Sequence, residues 1–96
     1  MAAQKIIDFS DYRSRLDVAI SAMKKLVATY PEETELQCIE AQLEQLRTWT
    51  LGGQAPTLAE KGQLNFGAIA SRDLHQLDSD LANELYEIAD HVTYWK

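Results

Sequence analysis

The stretch LDSDLANELYEIADHVTYW, residues 77–95, carries the clearest periodic pattern in the chain. Five of its apolar residues follow one another at steps of four, three, four and three: Leu81, Leu85, Ile88, Val92 and Trp95. These steps place the five side chains on one face of an α-helix, which turns once in 3.6 residues. Asp78 or Ser79 can cap the first turn. The pattern predicts an amphipathic helix over residues 79–94.

Two further amphipathic segments occupy the first half of the chain. Residues 11–30 carry apolar side chains at three- and four-residue steps, with Ser10 as the expected N-cap. This helix is predicted to end at Pro31, which lacks a backbone N–H and disfavours a helical conformation of the preceding residue. A second helix is predicted over residues 32–50, before a Gly-Gly pair that accepts the left-handed conformation found after many helices.

The region between these segments and the last helix contains two more elements. Residues 57–60, Thr-Leu-Ala-Glu, match a capping box and predict a short helix over 58–63. A longer helix is predicted over 64–75. No run shows the strict alternation of a half-buried strand. The sequence therefore predicts an all-α fold, a single-domain bundle of four main helices plus a short connecting helix, over residues 1–96.

Gly67 stands near the start of the predicted helix 64–75, where glycine costs about 1 kcal/mol relative to alanine. The neighbouring residues Ala68, Ala70 and Ser71 are also small. Small residues allow a second helix to approach closely, and the packing gained can offset this cost. A second interpretation, in which a partner protein approaches over Gly67, stays open at this point.

Composition and charge narrow the possible functions. The chain has 96 residues, 15 acidic and 9 basic, with a formal net charge of −6. Nucleic-acid phosphates and anionic membranes repel such a surface, whereas a basic protein partner is favoured. No segment is apolar over the roughly 20 residues that span a bilayer, and the start MAAQKIIDFSDY lacks a secretory apolar run. Cytoplasmic residence is the expectation.

The sequence shows no catalytic, cofactor-binding or metal-binding motif. His91 follows Glu87 by four residues, which predicts an ordinary surface pair on one helical face, and zinc needs three or four ligands. Cys38 has no histidine near it and is expected to be a small buried or half-buried apolar side chain. We therefore expect neither an enzyme nor a bound cofactor.

Acidic residues with a few aromatics line the predicted outer helix faces. On the second helix, Glu40 and Glu44 repel each other, with Arg47 expected to compensate. Such surfaces suit a basic region of another protein. The candidate partner-binding residues are Asp73, Asp78, Asp80, Glu84, Glu87, Tyr94, Glu40 and Glu44.

The motifs LNFGAIASRDL, residues 64–74, and LDSDLANELYEIADHV, residues 77–92, carry a family resemblance. They resemble the C-terminal half of small helical immunity proteins, which neutralise NAD(P)-hydrolysing toxin domains delivered by bacterial type VI secretion systems. The N-terminal half agrees in layout only. The residues that match the shared pattern are Leu64, Phe66, Gly67, Ile69, Ala70, Arg72, Asp73, Asp78, Asp80, Leu81, Ala82, Leu85 and Tyr86.

The resemblance implies a non-enzymatic cytoplasmic antitoxin that binds a cognate toxin domain and covers its active site. A toxin of the NAD(P)-glycohydrolase type is the expected partner. The alternative is a helical interaction module, such as an adaptor or a regulatory subunit, without a toxin partner. A homo-oligomer is possible but the sequence does not indicate one.

Overall fold

Five α-helices and one π-helical segment occupy residues 4–95, the part of the chain that this computed structural model describes. No strand occurs in these residues, so the all-α prediction is confirmed. Residues 1–3 of the N-terminal stretch and Lys96 lie outside the described range. The elements are α1 Phe9–Thr29, α2 Thr34–Trp49, α3 Leu58–Lys61, α4 Phe66–Ile69, the π-helix Ala70–Leu74, and α5 Ser79–Tyr94.

Helix α1 begins two residues earlier than predicted, and Ser10 is not its N-cap. The cap is Asp8, whose carboxylate accepts a hydrogen bond from the backbone N–H of Asp11 at 2.8 Å. A carboxylate at this position satisfies a free backbone donor and also interacts favourably with the helix dipole. The predicted end near Pro31 is confirmed, since α1 ends at Thr29.

Helix α2 begins at Thr34, two residues later than predicted, because Pro31 and Glu32 form a turn and Glu33 is the N-cap. It ends at Trp49, with Thr50 as the C-cap. The left-handed glycine predicted at this end is Gly53, with a φ of +88°, and it lies in the loop beyond the cap. Thr50 therefore caps the end of the helix, and Gly53 adopts the left-handed conformation in the turn that follows.

The predicted capping box of α3 is confirmed. The backbone N–H of Glu60 donates to the Thr57 hydroxyl at 3.1 Å, and Glu60 accepts from the backbone N–H of Thr57 at 2.8 Å. The helix itself ends at Lys61 and is shorter than the predicted 58–63. Reciprocal capping is what lets so short a helix form.

The helix predicted over 64–75 differs most from expectation. It begins at Phe66 as α4 and continues as the π-helix from Ala70, where the N–H of His75 donates to the carbonyl of Ala70 at 2.9 Å. Leu74, at the end of this wider turn, is fully buried. Apolar spacing over a single turn does not distinguish this geometry from a regular α-helix, so the sequence pattern missed it.

The core forms where α1 packs against α2 and α5, and where α4 fits between α2 and α5. The buried stripe of α5 contains four of the five predicted residues, and Trp95 is half-buried beyond the end of the helix. A Cβ placed on Gly67 would lie only 3.3 Å from the Cβ of Ala89 on α5. Gly67 therefore lies at a close contact between helices, as the packing interpretation expects.

None of the helices found in residues 4–95 has the length and the apolar character needed to cross a membrane.

Candidate partner-binding surface

Arg15 of α1 organises one side of α5. Its guanidinium donates to Glu84 at 2.5 Å, to Asp11 at 3.3 Å and to the backbone carbonyl of Gln4 at 2.5 Å. Burial alone lowers the pKa of Arg15, but hydrogen bonds and charge from Glu84 and Asp11 outweigh burial and raise it. One side chain thus connects α1, α5 and the extended segment at residues 4–7, which we call the N-terminal strap.

The two candidate residues on α2 already have a cationic partner. Lys24 of α1 lies 2.8 Å from Glu44 and 3.6 Å from Glu40, and the hydrogen bond and charge of Glu44 raise its pKa. The prediction that Arg47 compensates these glutamates is wrong, because Arg47 donates to Asp17 of α1 at 2.6 Å. The packing of α1 against α2 thus brings Lys24 to these glutamates, whereas Arg47 of α2 pairs with Asp17.

Three candidate residues gather where the π-helix turns into α5. Asp78, one of the two predicted caps, is the N-cap and accepts from the backbone N–H of Leu81 at 3.0 Å. Asp80 is exposed in the first turn of α5, where the helix dipole favours a negative charge. Asp73 lies 3.9 Å from Arg72, a loose and exposed contact. One of the three therefore has a defined structural task.

The second half of α5 presents a different set of side chains. Glu87, Asp90 and Tyr94 face outward along one stripe, and Tyr94 is 75% exposed. Together with the N-terminal strap they border an open groove of about 510 Å³, which we call the α5 groove. It is lined by Lys5 and Ile6 from the strap and by Glu87, Asp90, His91, Tyr94 and Trp95.

An aromatic cluster of Tyr12, His91 and Trp95 lies at this groove. The His91 ring stacks on Tyr12 at a centroid distance of 5.3 Å, and Trp95 contacts both rings. The predicted surface pair of His91 with Glu87 is therefore wrong. Burial, and then the positive charge of Arg15, lower the pKa of His91, so its neutral form is favoured.

Tyr12 anchors the cluster from below. It is fully buried, and its hydroxyl shares a hydrogen bond of 3.1 Å with Thr50, whose own hydroxyl donates to the carbonyl of Leu46 at 2.8 Å. Burial raises the pKa of Tyr12 to about 12. A neutral, hydrogen-bonded ring gives the aromatic cluster a rigid base.

Lys61 of α3 fixes the end of α5. Its ammonium group donates to the carbonyl of Trp95 at 2.5 Å and to that of Thr93 at 3.5 Å. The last carbonyls of a helix have no partner within the helix, and a cation there also suits the helix dipole. The short connecting helix α3 therefore positions the end of α5 through Lys61. This contact is not apparent from the sequence.

The candidate residues occupy several places on the molecule. Glu40 and Glu44 lie beside α1, Asp73, Asp78 and Asp80 lie at the start of α5, Glu84 is paired with Arg15, and Glu87 and Tyr94 line the α5 groove. Lys5, Ile6 and Asp90 also line this groove and were not among the candidate residues. The three-residue step from Glu87 to Asp90 was a usable signal, whereas nothing local indicated the strap.

Two other side-chain predictions concern chemistry. Cys38 is exposed on α2, so the expectation of a buried or half-buried thiol is wrong; its helix turns it away from the stripe led by Leu36 and Ile39. Within residues 4–95, no three His, Cys, Asp or Glu side chains are grouped closely enough to hold a metal ion.

Comparison with known proteins identifies the family. A model of the Tsi6 family matches residues 11–94, which include all of α2–α5 and nearly all of α1. No curated protein matches the chain. No solved structure matches it. The chain belongs to the Tsi6 family of type VI secretion immunity proteins, and this membership indicates a non-enzymatic role and a toxin partner.

Proposed function

We propose that this protein is a cytoplasmic antitoxin that binds one cognate secreted antibacterial toxin domain and blocks its active site. The toxin is of the NAD(P)-glycohydrolase type, which cleaves nicotinamide from NAD(P)⁺ with water. The observation that carries the proposal is the family match over residues 11–94. The resemblance of the motifs at 64–74 and 77–92 to immunity proteins of such toxins supports the choice of toxin class.

Blocking by occlusion requires a rigid surface and no chemistry. The described helices other than α3 share one apolar core, and both ends of α5 are fixed, by Asp78 at its start and by Lys61 at its end. The net charge of −6 accelerates encounter with a basic partner surface. Fast association is valuable for an antitoxin, since each free toxin molecule turns over many substrate molecules.

Within this proposal the exposed side of α5 contacts the toxin. Asp80 and Tyr94 are exposed, Glu87 is half-buried, and neither carboxylate has a competing intramolecular ion pair among the described residues. Glu84, Glu40 and Glu44 would first have to give up Arg15 or Lys24, so their contribution to toxin affinity is smaller. Asp73 and Asp78 border the start of the same helix.

Co-expression tests the function. The C-terminal domain encoded by the adjacent upstream open reading frame is expressed in a bacterial host with and without this protein, and growth and cellular NAD⁺ are followed. Growth arrest with NAD⁺ loss only in the absence of this protein is the expected result. Growth arrest with intact NAD⁺ would retain the antitoxin function and overturn the toxin class. Toxicity that this protein does not relieve would overturn the function.

Occlusion is tested with purified proteins. The toxin domain is assayed for NAD⁺ hydrolysis while this protein is added in increasing amounts. Inhibition that is complete at one molecule per toxin, and that prevents a fluorescent NAD⁺ analogue from binding, is expected for a covered active site. Inhibition with unchanged analogue binding would show that the antitoxin acts on the toxin from elsewhere.

A further inference from the structure

The α5 groove has two walls of different origin. One wall is the last two turns of α5, and the other is the N-terminal strap with Lys5 and Ile6. The strap is held in place, because Arg15 donates to the carbonyl of Gln4 and the N–H of Ile7 donates to Asp11 at 3.2 Å. Ile6 is half-buried against the core. The strap wall of the groove is therefore fixed by contacts with α1 and with the core.

Two carboxylates border the groove without a partner. Within residues 4–95, neither Glu87 nor Asp90 forms an ion pair, although Glu84 on the same helix is bound by Arg15. They are three residues apart, so they are neighbours on one helical face. Lys5 adds one positive charge, and His91 is favoured in its neutral form. The lining side chains therefore carry a net negative charge.

Aromatic surface accompanies these charges. Tyr94 is 75% exposed, and the half-buried Trp95 is held by ring contacts with Phe9, Tyr12 and His91. The faces of tyrosine and tryptophan rings attract cations, most strongly for tryptophan. A pre-positioned aromatic ring beside a free carboxylate suits a planar guanidinium, which stacks on the ring while it donates to carboxylate oxygens.

We propose that the α5 groove receives an arginine side chain of the toxin domain, with Glu87 and Asp90 as its carboxylate partners and Tyr94 and Trp95 as its aromatic walls. This proposal rests on the proposed function, since it assigns a contact within the antitoxin–toxin complex. Charge complementarity carries the choice of occupant. It also predicts the role of Lys5, which competes with the incoming cation and lowers its affinity.

The experiment measures binding of the catalytically inactivated upstream toxin domain by calorimetry. Glu87→Gln and Asp90→Asn are each expected to raise the dissociation constant about tenfold or more, because each replaces a charged hydrogen-bond acceptor with a neutral one in a partly desolvated site. Tyr94→Ala is expected to raise it about fivefold through the lost cation–π contact. Lys5→Gln is expected to lower it by about two- to threefold.

Matched controls come from exposed residues outside the groove. Glu32→Gln, Tyr30→Ala and Lys25→Gln remove the same kinds of side chain from the α1 end and the turn after it. They are expected to change the dissociation constant less than twofold. The salt dependence of binding gives a second readout, since Glu87→Gln should flatten it and Glu32→Gln should not. Thermal unfolding confirms that every variant is folded.

The outcomes separate the two proposals. If the wild-type protein binds the toxin but Glu87→Gln and Asp90→Asn behave like Glu32→Gln, the groove assignment is overturned and the antitoxin function stands. Weaker binding by Lys5→Gln would also overturn it, since an anionic group of the partner would then occupy the groove. If the wild-type protein neither binds nor neutralises the toxin, both proposals fail.

Discussion

The two halves of α5 both carry acidic side chains, but these side chains have different surroundings. In the first half, Asp78 caps the helix, Glu84 is bound by Arg15, and the Tyr86 ring stacks on His75 at 6.4 Å. In the second half, Glu87 and Asp90 have no ion-pair partner among the described residues. In the first half, Asp78, Glu84 and Tyr86 thus make contacts within the protein and Asp80 is exposed, whereas the two carboxylates of the second half have no ion pair among the described residues.

This difference shows how one acidic helix can serve both folding and binding. An ion pair that already exists within the protein must be broken before either charge meets a partner, whereas an unpaired exposed carboxylate needs only to lose water. Equivalent positions on the helix are therefore unequal as binding residues.

The buried side of α5 should give the largest effect. Leu85 is fully buried in the core, so Leu85→Ala is expected to lower the free energy of unfolding by about 2–5 kcal/mol through lost apolar burial and a cavity. Urea unfolding followed by tryptophan fluorescence measures the loss. Val18→Ala, at a position that is 67% exposed, is the control and should change stability by under about 0.5 kcal/mol. Equal effects would contradict the burial assignment.

The contact between Gly67 and Ala89 should give the next largest effect. Replacement of glycine by alanine in a helix gains about 0.5–1 kcal/mol. We expect no such gain from Gly67→Ala, because its new Cβ would lie 3.3 Å from that of Ala89, and both atoms are fixed to helix backbones. In an Ala89→Gly background the same substitution should stabilise the protein.

A double-mutant cycle measures this coupling by urea unfolding. The coupling energy between the two positions is expected to be about 1 kcal/mol. Effects that simply add would show that Gly67 is not required for close packing. Toxin binding measured for the same variants then tests the other interpretation, because a partner that approached over Gly67 would lose affinity in both backgrounds.

The two glutamates of α5 should separate stability from binding. Glu84→Gln is expected to lower the free energy of unfolding by roughly 0.5 kcal/mol, because it weakens a partly buried pair with Arg15. Glu87→Gln should leave stability within measurement error and weaken toxin binding instead. Chemical unfolding and calorimetry on the same preparations give both numbers. If Glu84→Gln weakened binding more than Glu87→Gln, the division between the two halves would be wrong.

The smallest effect concerns pH. The pKa of His91 is lowered from its usual 6.5, first by burial and then by Arg15, so the unfolded chain binds a proton more readily than the folded one. The stability from neutral His91 is complete above about pH 6.5 and is lost as the pH falls through the folded-state pKa. The free energy of unfolding should therefore decrease from pH 7 to pH 5.

His91→Gln is the test of this pH dependence. Glutamine does not titrate, so the variant should show a shallower decrease over the same range when urea unfolding is measured at constant ionic strength. His75→Gln is the matched control, since His75 is exposed beside Tyr86. An unchanged slope in His91→Gln would show that other groups cause the pH dependence.

Much of the fold could be predicted from local features. The limits of α5, its Asp78 cap and the capping box of α3 all follow from interactions within four residues along the chain, which the sequence displays directly. The same reasoning failed at the π-helix, because one turn contains too few apolar positions to distinguish the two hydrogen-bond patterns. The same reasoning predicted Ser10 as the N-cap of α1, although Asp8, another good capping residue two positions earlier, is the cap.

The candidate site was much less predictable. The sequence identified the acidic residues of α5 but treated Glu84 and Glu87 as equivalent. The structure distinguishes them through Arg15, which is 69 positions away from Glu84 along the chain. Likewise, Arg47 pairs with Asp17, 30 positions away along the chain, and not with the glutamates on its own helix.

By itself the sequence determined the all-α fold, the apolar side of α5 and the acidic character of its outer face, because these properties depend on residue type and on helical spacing. Tertiary structure alone decided which carboxylates are paired and where a groove opens beside the N-terminal strap. The physical reason is that an ion pair depends on the distance between two charges in space. That distance is set by the packing of helices that are remote in sequence.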